Sequence, residues 1–255
     1  MLLRAEDLSK RFGGVAALET VDLELERGAV HAVIGPNGAG KTTLLNLLSG
    51  IYRPDGGEIF WENESITGRA PHEFAAAGIG RTFQNLQVFF NMSALENVMA
   101  GRWLHERHGL AGSLLRLPAL ARAERACRDE ALALLEGVGL GRWALARADS
   151  LPYGALKRLE IARALAAEPR LLLLDEPAAG LNAAETRGID ELIRRIAARG
   201  ITVVLVEHNM KLVMEVSQHV VVLDYGRKLA EGAPRAVSRD RRVIEAYLGS
   251  EACST

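Results

Sequence analysis

The chain has 255 residues, 31 Lys plus Arg against 32 Asp plus Glu, a net charge of −1 and 49% hydrophobic residues. This is the composition of a globular protein of one or two domains with a sizeable core, and the neutral balance argues against a general nucleic-acid binder. Uninterrupted apolar stretches such as residues 171–174 and 203–206 fall far short of the ~18 residues a membrane span needs. The start Met1-Leu2-Leu3-Arg4-Ala5-Glu6-Asp7 is charged too early for a secretion signal. Two distant cysteines, Cys127 and Cys253, predict neither a disulfide framework nor a metal cluster, and suit a reducing cytosol.

In chain order, Val30–Ile34 reads as a strand and residues 42–48 as a helix. From residue 85 to 151 no strand pattern occurs. Ser93-Ala94-Leu95-Glu96 is a capping box opening a helix, and a second helix is predicted over about 121–136, ended by Gly137 and Gly139. Between Arg102 and Arg128 lie six Arg and two Glu, a balance of +4; this reads as a solvated face or as a surface near anionic lipid headgroups. The strand-like runs over 171–174 and 201–206 are continuous rather than alternating, as for strands covered on both faces. A helical pattern over 185–198 separates them, and a further strand is predicted over 220–223. This alternation indicates an α/β domain. Val243/Tyr247 and Ile244/Leu248 then predict a short amphipathic helix stopped by Gly249.

The strongest local signal is Gly35-Pro36-Asn37-Gly38-Ala39-Gly40-Lys41-Thr42, followed by Thr43. It fits G-x-x-x-x-G-K-[ST] between an apolar strand and a Leu-rich helix. Its glycines let consecutive N–H groups curl around phosphate oxygens, and the helix adds its positive end. Lys41 is expected on the β- and γ-phosphates and the Thr42 hydroxyl on Mg²⁺. The strand Leu171-Leu172-Leu173-Leu174 ends in Asp175-Glu176-Pro177, which places two carboxylates at the carboxyl edge of the sheet, where α/β folds bind ligands. Asp175 suits a metal held through water and Glu176 an attacking water; a strand end with a helix-capping acid is the plainer alternative.

Leu151-Pro152-Tyr153-Gly154-Ala155-Leu156-Lys157-Arg158-Leu159-Glu160-Ile161-Ala162-Arg163-Ala164-Leu165 resembles the signature loop and helix of ABC-type ATPases. Phe12 resembles that family's adenine-stacking aromatic, Gln84 its Q-loop glutamine, Ala179-Gly180-Leu181-Asn182 its D-loop, and His208 its switch histidine. Taken alone, Phe12 reads equally as core, Gln84 as a solvated surface residue and His208 as a satisfied polar residue at a strand end. The segments Gly80-Arg81-Thr82-Phe83-Gln84-Asn85, Glu207-His208-Asn209-Met210-Lys211-Leu212-Val213-Met214 and Ala246-Tyr247-Leu248-Gly249 are similar to the LivG-type ATP-binding subunits of branched-chain amino acid importers, as are the 67 residues separating Gln84 from Leu151.

The resemblance implies a P-loop α/β core with an antiparallel β portion near the N-terminus and an inserted helical subdomain. It sets the core at 1–85 and 154–238, the subdomain at 86–153 and a C-terminal helix and tail at 239–255. It implies ATP hydrolysis with Mg²⁺, the metal on Thr42, Gln84 and Asp175, with Glu176, His208 and Gln84 at the reacting phosphate. Leu151, Pro152, Tyr153 and Gly154 would contact the ATP of a second ATPase chain, identical or different. Membrane permease subunits and, indirectly, an extracytoplasmic substrate-binding protein would complete an importer on the cytoplasmic face of the inner membrane, with no nucleic acid partner. Lipid or lipopolysaccharide export, a non-transport ABC module on nucleic acid or ribosomes, and a simple P-loop kinase are the rival readings. The signature departs from the usual pattern: Pro152, Tyr153 and Ala155 stand where Ser, Gly and Gln are usual, and Asn182 replaces the D-loop Asp. Pro152 offers a phosphate neither hydroxyl nor N–H. These departures bear on the ATP sandwich and not on binding by the phosphate loop.

Overall fold

The computed structural model describes residues 1–102 and 118–252. Arg107 and Arg116 of the Arg-rich stretch, and Cys253, lie outside the described residues. The chain forms two compact units, Met1–Arg81 with Arg170–Thr255, and Thr82–Pro169.

The strands are β1 (Leu3–Phe12), β2 (Val15–Leu25), β3 (Val30–Ile34), β4 (Gly56–Trp61), β5 (Glu64–Ser65), β6 (Ile79–Arg81), β7 (Leu171–Asp175), β8 (Thr202–Val206), β9 (His219–Asp224) and β10 (Arg227–Gly232). The helices are α1 (Lys41–Leu48), α2 (Pro71–Ala76), α3 (Ala94–Gly101), α4 (Pro118–Gly137), α5 (Tyr153–Ala166), α6 (Ala183–Ala198), α7 (Met210–Val216), α8 (Pro234–Val237) and α9 (Arg241–Ala252).

In the first unit, β2-β1-β4-β5 form an antiparallel sheet. Along its second strand Val21, Leu23 and Leu25 are buried while Asp22 and Glu24 face out, the period of two that one covered face imposes. The larger sheet runs β10-β9-β3-β8-β7-β6, parallel except for β10. Every residue of β3, β7 and β8 is buried, so the unbroken runs Leu171–Leu174 and 203–206 are what strands covered on both faces require; β3 also buries His31. Register fixes the working edge: Val33 and Asp175 both sit opposite Val206. The chain segments that leave β3 and β7 therefore emerge level, on either side of β8.

The second unit is helical. Ser93 opens α3 as a capping box, with the Glu96 N–H donating to its hydroxyl at 3.2 Å and its own N–H donating to Glu96 Oε2 at 2.7 Å. Leu95, Val98, Ala131, Leu135, Leu159 and Ala162 are buried in this unit. At Gly101 a Cβ would stand 2.3 Å from the Arg163 carbonyl oxygen, so only glycine allows α3 and α5 to approach this closely. Arg102 pairs with Glu130 and with Glu168 at 3.3 Å.

Two helix ends differ from expectation. α4 starts at Pro118, ahead of residue 121. The last helix continues through Gly249 to Ala252; a glycine ends a helix only where the chain turns left-handed, and otherwise costs about 1 kcal/mol within it. Among the described residues no helix is long and apolar enough to cross a membrane.

Candidate active site

The segment from Gly35 to Gly40 joins β3 to α1. At Gly35 a Cβ would lie 2.1 Å from the Leu223 carbonyl oxygen, and at Gly40 (φ +100°) 2.5 Å from that of Ala17. Neither position admits another residue. Asn37 and Gly38 are exposed, Pro36 is half-buried and Ala39 is buried. The buried Lys41 donates from Nζ to the carbonyls of Gly35 at 2.7 Å and Pro36 at 2.8 Å. Burial pushes its pKa down, and the charges of Glu176 and Asp175 oppose this. Thr42 is exposed and Thr43 half-buried on the first turn of α1, whose N–H groups and positive end suit an anion.

Asp175 ends β7 with 2% exposure. Arg81, at the end of the neighbouring β6, reaches its Oδ2 at 3.4 Å and donates to Asn46 Oδ1 at 2.6 Å and Ser49 Oγ at 2.9 Å on or beside α1. Both side chains of the ion pair are at most 6% exposed. Removing one member of such a pair leaves a buried charge uncompensated. Arg81→Ala is therefore expected to lower unfolding stability by about 3–5 kcal/mol, read from urea denaturation; a loss below about 1 kcal/mol would show that Asp175 does not depend on this cation.

Glu176 follows with φ +49°, a left-handed backbone that L-residues adopt at a cost. Its N–H donates to the Val206 carbonyl at 2.9 Å. His208 Nε2 lies 2.8 Å from Glu176 Oε1; a carboxylate only accepts, so this nitrogen carries the hydrogen. Glu207, buried at the end of β8, accepts from the N–H groups of Ala178 (2.8 Å), His208 (3.1 Å) and Asn209 (3.3 Å). Burial pushes its pKa up. It thereby ties the turn after Glu176 to the turn that carries His208. Asn182 caps α6, accepting from the N–H groups of Ala184 at 2.9 Å and Glu185 at 3.0 Å. This is a reason for Asn at that position independent of any ligand.

Phe12, at the end of β1, is 44% exposed, edge-on to Tyr52 with ring centroids 5.2 Å apart. It is not a core residue, and a ring face of this kind suits stacking. In the second unit Gln84 is exposed. Its carbonyl accepts from Lys157 Nζ at 3.5 Å, and the N–H of Phe83 donates to Glu160 Oε1 at 3.1 Å. Burial raises the pKa of Glu160. Leu151 is buried, and the Pro152 carbonyl accepts from Ala155 at 2.9 Å and Leu156 at 3.0 Å. Gly154 is buried and Tyr153 exposed.

The first unit thus gathers residues 35–43, Asp175, Glu176 and His208 at one sheet edge; Gln84 and residues 151–154 belong to the second. Arg81, Glu207 and Glu160 carried no assigned role in the sequence. Glu207 repeats the signal that marked Asp175, a carboxylate ending an apolar run; Arg81 and Glu160 show none. Among the described residues no group of three His, Cys, Asp or Glu side chains could hold a metal. The Thr42 hydroxyl and Asp175 carboxylate are instead hard oxygen donors, the kind Mg²⁺ accepts alongside phosphate and water.

A family model described as ABC transporter matches residues 18–179, and one described as branched-chain amino acid ATP-binding cassette transporter matches residues 227–253. The chain is 44% identical over 249 residues to the high-affinity branched-chain amino acid transport ATP-binding protein BraF of Pseudomonas aeruginosa, covering 97% of this chain and 98% of that protein. To LivG of Escherichia coli (strain K12), which carries the same description, it is 42% identical with the same coverage. The crystal structure of the ADP conformation of an ATP-binding cassette of an ABC transporter matches with a TM-score of 0.84 at 32% identity, covering 97% of this chain and 98% of that one.

Proposed function

The chain belongs to the ABC transporter family and is an ATPase, and we propose that its ATP hydrolysis drives the import of branched-chain amino acids. The observation that carries the chemistry is the Glu176–His208 pair at 2.8 Å, standing at the edge from which the phosphate loop leaves. In this reading the N–H groups of residues 35–43 and Lys41 hold the phosphates. Phe12 stacks on the adenine. Thr42, Gln84 and, through water, Asp175 hold Mg²⁺, which when bound neutralises phosphate charge. Glu176 accepts the proton of the attacking water, and His208, held on Glu176, keeps that water in place.

The start of α5, with Leu151, Pro152, Tyr153 and Gly154, faces the nucleotide of a second ATPase chain. Its helix end and the glycine support close approach, while Pro152 supplies no hydroxyl. Phe83, Phe89, Phe90 and Met92, all exposed in the helical unit, offer permease subunits an apolar contact. The chain then works at the cytoplasmic face of the membrane, served indirectly by an extracytoplasmic binding protein. The match at residues 227–253 and the names of BraF and LivG support the choice of substrate.

The test is uptake into vesicles carrying the cognate permeases, binding protein and this chain. ATP-dependent accumulation of labelled leucine, isoleucine or valine is expected. ATP-dependent transport of another solute class with none of these three would replace the substrate assignment.

A further inference from the structure

The carboxylate of Glu207 joins the two turns that carry the reacting side chains. It follows β8 directly and is 3% exposed. Its Oε1 accepts from the N–H of Ala178 at 2.8 Å, and its Oε2 from the N–H groups of His208 at 3.1 Å and Asn209 at 3.3 Å. All three partners are donors, so the group serves them as an ionised carboxylate with both oxygens accepting.

Ala178 lies in the turn that Glu176 opens, closed by the Ala179 N–H on the Glu176 carbonyl at 3.1 Å. Glu176 sits there at φ +49°, a backbone that persists only where its surroundings over-determine it. The Val206 carbonyl holds its N–H at 2.9 Å, and Glu207 supplies the anchor two residues further on. On the other side Asn209 caps α7, its Oδ1 accepting from the Leu212 N–H at 3.2 Å. The backbone around His208 is thereby tied both to the start of α7 and to Glu207.

We infer that Glu207 is a positioning residue for ATP hydrolysis: by accepting from both turns it sets the spacing between Glu176 and His208. This rests on the reading of that pair, 2.8 Å apart, as the groups that hold the attacking water. The bridge calls for a carboxylate. Glutamine has the same shape, but only one of its two terminal atoms accepts. Whichever way its amide turned, an NH₂ group would face a backbone N–H, either at Ala178 or at His208 and Asn209. One of the two turns would be released.

Glu207→Gln therefore breaks the bridge at nearly constant volume. Glu207→Asp keeps the charge and shortens the reach, and serves where the glutamine variant does not fold. Val204→Ala trims a buried side chain of the same strand and leaves the carboxylate. For these, His208→Ala, Glu207→Gln/His208→Ala and wild type, kcat and KM for ATP hydrolysis, ATP and ADP affinities by calorimetry and thermal midpoints are measured. Both Glu207 variants are expected to lower kcat by about 5–30-fold, the weight of a lost buried hydrogen bond. Nucleotide affinity should stay within about twofold, because the phosphate loop is untouched. In the His208→Ala background Glu207→Gln is expected to cost less than about twofold, since the spacing it sets no longer matters. Val204→Ala is expected to lower the midpoint and keep kcat within about twofold. Wild-type kcat in either Glu207 variant overturns the inference, as does an equal kcat loss in Val204→Ala or an undiminished cost of Glu207→Gln in the His208→Ala background. Wild-type kcat in His208→Ala instead removes the reading of the Glu176–His208 pair and the inference with it.

Discussion

Glu176→Gln should abolish turnover while leaving nucleotide affinity close to wild type. A positioned general base contributes about 10²–10⁴-fold to rate, and the substitution removes that capacity with almost no change of shape. The amide oxygen still accepts from His208 Nε2, 2.8 Å away in the wild type. The backbone hydrogen bond from residue 176 to Val206 is untouched, and glutamine meets the same left-handed φ of +49° that glutamate does. What is lost is an atom able to take a proton. Phosphate release and ATP affinity, measured on the same preparation, decide the matter. Near-normal hydrolysis would move the proton acceptor elsewhere. The adjacent carboxylate is a poor substitute: Glu207 is 3% exposed and committed to three backbone N–H groups.

The difference between Glu176 and Arg81 shows what a sequence displays and what it hides. The runs that became β7 and β8 were legible because burial on both faces favours continuous apolar residues. The phosphate loop was legible because its glycines and Lys41 act within eight consecutive positions. The Ser93 cap closes over three residues. Features built from distant parts were not legible. Arg81 meets Ser49, Asn46 and Asp175 at separations of 32, 35 and 94 residues, and His208 meets Glu176 at 32. No periodicity records such pairings, because parallel-strand order creates them and strand order is set by crossovers. Gln84 and the signature carried little physical signal of their own and were read through family resemblance. For Pro152 the structure supplies the physics: proline replaces a polar cap yet keeps the helix start, its carbonyl accepting the N–H groups of Ala155 and Leu156.

Lys41→Ala is expected to weaken ATP binding by about 10–150-fold, the equivalent of a charge-assisted contact worth ~1.5–3 kcal/mol. The wild-type lysine is 7% exposed as a residue, and its ammonium is turned onto two carbonyls of the loop it serves. A cation so placed meets an incoming phosphate without first surrendering a full hydration shell, which favours the upper part of that range. Its removal has a second consequence. Asp175 and Glu176 stand close enough for their charges to favour the protonated lysine. Without it their negative charge acts on the phosphates unopposed. Methionine at this position separates the two effects of size and charge: Lys41→Met fills the same space, so Lys41→Met and Lys41→Ala should lose affinity alike if charge is the cause. Titration with a fluorescent ATP analogue measures both. Affinity retained in Lys41→Met but lost in Lys41→Ala would make the side chain a spacer for the loop, and affinity retained in both would place the phosphates away from residues 35–42.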